Sequence, residues 1–207
     1  MENSLSSALR AIASSLRYPV IIILLLLAAT ALVLTGSLIA EYFTARRRLR
    51  VKMPALIRAL HSAEDLSATI AASGLLRRQK LVLMEVCRNM ELPASSRAAL
   101  AERLLEQEQE CYNRRIRLSD MIARLGPMFG LLGTLIPLGP GIIALGQGDT
   151  YTLSQSLLTA FDTTILGMIT AAFAIVISAI RKYWYSQQMS MLRALMECVL
   201  EEMELRS

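Results

Sequence analysis

Three long apolar runs break the polar pattern of the chain, at residues 19–40, 125–146 and 157–180. In the first, the stretch 20–34 has Thr30 as its only polar side chain. The second carries no charge, and the third carries only Asp162. A helix crosses a bilayer with about 20 mostly apolar residues, so each run predicts a transmembrane helix. Between the first two, residues 53–118 contain apolar positions too, but arginines and glutamates interrupt them every few residues. The pattern predicts an all-α membrane protein with three transmembrane helices.

The remaining segments also read as helices. Leu5, Leu9, Ile12 and Leu16 recur at helical spacing, which predicts an amphipathic lead-in over 1–18. Residues 53–72 and 75–90 each show a broad apolar face. Ser95 or Ser96 is placed to cap a further helix, which runs through Glu102, Glu106 and Glu110 toward Arg124 and on into the second span. The tail, 181–204, prolongs the third span. Met189, Leu192, Leu195, Met196, Val199 and Met203 form its apolar stripe. Such faces are expected to pack on one another within the chain and on neighbouring copies.

Charge adds a topology. Residues 41–124 hold 16 Lys/Arg against 10 Asp/Glu, most of the basic ones beside span ends. Arg46, Arg47, Arg48, Arg50 and Lys52 follow the first span, Arg114, Arg115, Arg117 and Arg124 precede the second, and Arg181 and Lys182 follow the third. The connection 147–156 has no Lys or Arg. The positive-inside rule then puts 41–124 and the tail 181–207 in the cytoplasm, and 147–156 and the N-terminus outside. The basic cluster follows the first apolar run rather than preceding it, which favours a retained anchor over a cleaved signal. A multi-pass protein of the cell membrane is expected. The net charge of +5 is read as topology and contact with anionic lipid; no nucleic-acid motif is present. Composition agrees, with 54% hydrophobic and 19% charged residues. Cys87, Cys111 and Cys198 fall on the cytoplasmic side, where reduced thiols are expected. Their spacing fits no metal motif, and His61, the single histidine, reads as a lone surface residue.

The second and third spans hold the candidate chemistry. Gly126, Gly130 and either Gly133 or Thr134 step by three to four residues, forming a small-residue face that lets another helix approach. Pro127 lies within it. Pro137 and Pro140 remove helix hydrogen bonds and free the carbonyls of Gly133 and Ile136, predicting a kinked patch backed by Thr134. In span three, Ser156, Thr159, Thr163, Gly167 and Thr170 share a face, with Thr164 beside it. Asp162 flanks that face. A carboxylate inside a span is costly, about 2.5 to 3.5 kcal/mol at the helix centre, and such residues usually face a water-filled path. Asp162 also lies close to the outer mouth, where solvation is cheap.

The motifs Gly-Pro-Met-Phe-Gly-Leu-Leu-Gly-Thr over 126–134 and Ala-Phe-Asp-Thr-Thr-Ile-Leu-Gly over 160–167 resemble those of the MotA/TolQ/ExbB proton-channel family. The resemblance covers 126–182. The three-span, N-out layout resembles the TolQ and ExbB branch. It implies a subunit of an energy-transducing motor, assembled as a homo-oligomeric pentamer around single-span partner helices that carry an intramembrane Asp. Ion flow would then drive rotation of the ring about the partner, or the reverse. By motif, Thr134 matches the threonine of span two and Thr164 that of span three, both lining the space around the partner's carboxylate. The ion pathway would take in Thr134, Thr159, Asp162, Thr163 and Thr164, with Gly126, Pro127, Gly130, Gly133, Pro137, Pro140 and Gly167 serving packing and kinking. Two departures stand out. The cluster 137–141 is unlike the family's usual continuation, and the ExbB-like glutamate position falls on Thr159, with Asp162 one turn on as its substitute. The cytoplasmic loop matches no named motif.

An enzyme is not predicted: no nucleophile–base pair, metal cluster or phosphate loop is visible, and no cofactor is implied. The competing expectation is a non-conducting membrane scaffold that organises a partner.

Overall fold

The computed structural model describes residues 12, 15–48, 53–63 and 65–205, with the backbone alone for 43–48. Of the lead-in, Leu5 and Leu9 lie outside the described residues. Among the described residues the bounded helices are, in order, α1 Arg17–Arg48, α2 Met53–His61, α3 Leu66–Ala72, α4 Arg77–Arg88, α5 Ala94–Gly146 and α6 Thr150–Leu205. The described residues contain no strand. Helices α1, α5 and α6 are each long and apolar enough to cross a membrane. The chain is an all-α, multi-pass membrane protein.

α5 has 53 residues and α6 has 56. At 1.5 Å per residue these are about 80 Å and about 84 Å long, against an apolar bilayer core of about 30 Å. Most of each helix therefore lies beyond the hydrocarbon. Contacts divide the chain into two units, residues 1–37 with 117–179 and residues 38–116 with 180–207. We call these the membrane unit and the polar unit.

The polar unit buries one core. Leu56 and Leu60 of α2, Leu66 and Ile70 of α3, and Val82, Leu83 and Val86 of α4 meet the α6 stripe Met189, Leu192, Leu195, Met196, Val199 and Met203. The amphipathic faces thus cover each other within the chain. Residues 53–72 do not form one helix. Asp65 ends the continuity because its carboxylate accepts from the Ser67 and Ala68 amides at 2.8 and 3.3 Å, starting α3 afresh. The segment 75–90 begins helical geometry at Arg77, where the Gln79 side chain accepts from the Leu76 amide at 3.3 Å. α5 starts at Ala94, so Ser95 and Ser96 lie in its first turn instead of capping it. The Pro93 carbonyl takes the Ser96 and Arg97 amides at 2.9 and 3.0 Å.

In the membrane unit, α1 buries a single stripe of Val20, Leu24, Ala31 and Leu34 and exposes the rest, Leu26, Leu32 and Val33 among them. That is the behaviour expected of a helix facing lipid. α5 runs as unbroken helix through Pro127, Pro137 and Pro140. The turn to α6 is only 147–149, shorter than the ten-residue connection expected. Gly148 takes φ +80 there, a conformation suited to glycine. Asp149 then caps α6, accepting from the Thr152 amide at 3.0 Å and the Thr152 hydroxyl at 2.5 Å. These bonds hold the Asp149 carboxyl below its ordinary range.

Candidate functional site

Glycine fixes how α5 meets α6. A Cβ on Gly126 would come 2.9 Å from the Gly167 carbonyl oxygen and 3.2 Å from Ala171 Cβ, and one on Gly133 would come 2.7 Å from Thr163 Cβ. A Cβ on Gly130 would lie 3.4 Å from Gly167 Cα, and one on Gly141 would lie 2.9 Å from Ser156 Cβ. The facing pairs step up one helix and down the other, as an antiparallel contact requires. The small-residue face and the hydroxyl face read from the sequence therefore meet each other inside one chain.

Thr163 lies within this contact, 8% exposed. Its hydroxyl donates to the Thr159 and Ala160 carbonyls at 3.0 and 2.9 Å. Thr134 and Thr164 are half-buried. Their hydroxyls donate to the Leu131 carbonyl at 2.6 Å and the Ala160 carbonyl at 3.0 Å. A hydroxyl in hydrocarbon must be satisfied in this way. Each oxygen keeps acceptor capacity, and only the half-buried pair has open space beside it.

Helical rotation sorts these side chains onto two flanks. Each residue advances about 100°. Thr134 is one step past Gly133 on α5, and Thr164 is one step past Thr163 on α6. In an antiparallel pair those two steps turn to the same side. Ile136 and Thr159 are each one step before a buried residue, Pro137 and Ala160, so they turn to the opposite side. There they line a small pocket with Arg17, Val20 and Ile21 of α1. α1 accordingly covers one flank, and Thr134 and Thr164 share the other. Asp162, one step before Thr163, is exposed on the α1 side. By this rotation Thr134 and Thr164 turn to one flank and Asp162 to the other. Pro127 and Pro140 are exposed, and Pro137 is buried.

The polar unit holds groups that the sequence reading missed. Glu41, just past the first apolar run, is reached by Arg115 at 3.3 Å and by Arg181 at 3.4 Å, and accepts from the Tyr185 hydroxyl at 3.0 Å. Tyr185 stacks on Tyr112 at 4.6 Å. Burial, with Glu108 nearby, pushes the Tyr112 phenol up to about 12. His61 is not the isolated surface residue expected. Its Nδ1 pairs with Glu202 at 2.9 Å, and its Nε2 lies 3.8 Å from Cys198 Sγ. Burial, with Glu201 and Glu202 nearby, pushes the Cys198 thiol up, so this cluster holds a neutral thiol and not an activated nucleophile. No group of described residues is arranged to hold a metal ion.

Among curated proteins, none matches the chain. Against models of known families, residues 62–194 match the MotA/TolQ/ExbB proton channel family. The match takes in both glycine and threonine motifs and also reaches back through α3, α4 and the first half of α5, well beyond the segment whose resemblance was legible by motif. Covering more than half of the chain, it places this protein in the MotA/TolQ/ExbB proton channel family.

Proposed function

We propose that this chain is the ion-conducting subunit of an energy-transducing membrane motor, most simply a proton conductor. Copies assemble as a ring, five by family analogy, around single-span partner helices. The partner brings an intramembrane aspartate to the flank shared by Thr134 and Thr164. The middle segment and the C-terminus lie in the cytoplasm, and the 147–149 turn lies outside.

The carrying observation is the common flank of Thr134 and Thr164, opposite α1. A ring that turns α1 outward presents both threonines to its axis. Their oxygens can then accept a hydrogen bond from the partner's carboxylic acid or hydrate the passing cation, which sets how readily that acid gives up its proton. A unit charge crossing the membrane potential releases about 2.3 kcal/mol per 100 mV, which is the energy available for work. Asp162, on the α1 side, sits where it would meet headgroups or a neighbouring copy. Flux through the complex purified from native membranes and reconstituted in liposomes tests the reading. Conduction that falls at least tenfold in Thr134→Val and Thr164→Val, with assembly intact, supports it. A wild-type complex that organises its partner and passes no ion is instead a scaffold.

A further inference from the structure

Pro137 leaves a gap in the hydrogen bonding of α5. Having no N–H, it gives nothing to the Gly133 carbonyl one turn back, and Pro140 gives nothing to that of Ile136. In hydrocarbon such a carbonyl must find another donor. Gly133, Ile136 and Pro137 all line one small pocket, which α1 and α6 complete. Among the described residues, the side chains on its wall that carry a polar atom are Thr159 and Arg17; Val20 and Ile21 are apolar. All of these residues belong to the membrane unit. The Thr159 hydroxyl donates to the Gln155 carbonyl at 3.0 Å, so it has acceptor capacity left to offer. Arg17 is therefore the one side-chain donor among them.

The pocket has room for a single water: about 10 Å³ is open to the centre of a water-sized sphere. Its chemistry selects the same occupant. Carbonyl oxygens on one wall reject an anion, and a guanidinium on another rejects a cation. A dipole suits both. A water there accepts from Arg17 and donates to the Gly133 carbonyl and to the Thr159 hydroxyl oxygen, and three hydrogen bonds are usual for a buried water. The apolar walls of Val20 and Ile21 leave it no second water to which a proton can pass. Arg17 stands two residues before the first apolar run, and Thr159 is in the first turn of the third. The pocket thus lies at one end of these two spans, where a guanidinium also reaches water, and Arg17 is accordingly exposed overall. Asp162, although on this flank, does not line the pocket.

We propose that Arg17, with one water bound in this pocket, seals the α1 flank of the spans against cations. The freed carbonyls and the Thr159 hydroxyl make that flank polar, and polar groups inside a span draw in water, which carries protons. A fixed positive charge beside them repels protons and metal cations, most strongly where the surroundings are apolar. The single water satisfies the carbonyl without opening a chain of waters. The seal concerns the flank opposite Thr134 and Thr164, so it goes beyond the conducting reading and holds equally for a complex that passes no ion there.

Proton leak into liposomes that hold the native complex, driven by a potassium diffusion potential and read with an internal pH dye, tests it, with assembly checked by native mass. The comparison is made in the Thr134→Val, Thr164→Val background, so that flow along the other flank does not mask the leak. Arg17→Gln keeps an amide donor for the pocket and removes the charge, and leak should rise at least threefold. Arg17→Lys keeps the charge, and leak should stay within twofold of the background. A merely structural Arg17 predicts unchanged leak in both variants, with lower thermal stability in each. An assembled Gln variant that leaks no more than its background would overturn the seal, whereas a background that still conducts at the wild-type rate would count against the conducting reading alone. A reconstruction in a lipid disc, fine enough to show waters, should hold one between the Arg17 guanidinium and the Gly133 carbonyl. A guanidinium bonded straight to that carbonyl would overturn the water.

Discussion

Gly133 and Thr163 touch so closely that a single added carbon has no room: a Cβ on Gly133 would stand 2.7 Å from Thr163 Cβ and 2.8 Å from its hydroxyl oxygen. Thr163 cannot swing aside, since its branched side chain is stiff and its hydroxyl is tied to two carbonyls of its own helix. Gly133→Ala should destabilise the α5–α6 pair by about 1 to 3 kcal/mol. Gly167→Ala should cost more, because its Cβ would meet backbone, the Gly126 carbonyl oxygen at 2.6 Å and Gly130 Cα at 2.8 Å. Gly139 has no such neighbour, so Gly139→Ala should be neutral or gain about 0.5 to 1 kcal/mol from helix propensity. Thermal unfolding in detergent gives the order, and a Gly139 variant as damaging as the Gly167 variant would contradict it.

The three threonines of the contact should separate in function. Thr134→Val and Thr164→Val remove hydroxyls with open space beside them, and ion flux should fall at least tenfold. Thr163→Val removes a hydroxyl buried inside the α5–α6 contact, and flux should stay above half of wild type. Equal losses in all three would mean that the contact itself, and not one flank of it, carries the ion.

Alkaline pH should loosen the polar unit through Tyr112. Its phenol is raised from 10.0 to about 12, first by burial and then by Glu108. The neutral form is the one the fold accommodates, so its contribution is fully present below pH 10 and is lost as pH rises toward about 12. Tyr112→Phe keeps the ring stacked on Tyr185 and removes the titration. Helicity followed by circular dichroism should show wild type losing structure in that window and the Phe variant holding it longer.

Glu41 ties three side chains of the polar unit together. Arg181 is only 4% exposed, and a buried charge that loses a partner is destabilising. Glu41→Ala should cost about 1.5 to 3 kcal/mol, the range for hydrogen bonds to charged groups. Glu41→Gln, which still accepts from Tyr185, should cost less. Unfolding of the two variants side by side checks the order, and equal losses would show that the charge is irrelevant.

Much of this was legible in the residues because the membrane imposes simple rules. Run length gave the three spans, and three- to four-residue spacing gave the glycine and hydroxyl faces. What the spacing could not give was what each face meets. A stripe of small residues permits close approach without naming the neighbour, so Thr163 and Thr164, adjacent in sequence, looked alike. Only the placement of α5 and α1 around α6 separates them, burying one and turning the other to a flank. His61 and Glu202 lie 141 positions apart, and no local pattern connects them. The break at Asp65 and the start of α5 at Ala94 turned on capping by single side chains and carbonyls, which periodicity does not register.

A reconstruction of the assembled complex in a lipid disc tests the central claim most directly. The account predicts Thr134 and Thr164 of every copy facing the central axis, with α1 at the perimeter against lipid. Thr134 and Thr164 turned into acyl chains, with α1 surrounding the axis, would contradict it.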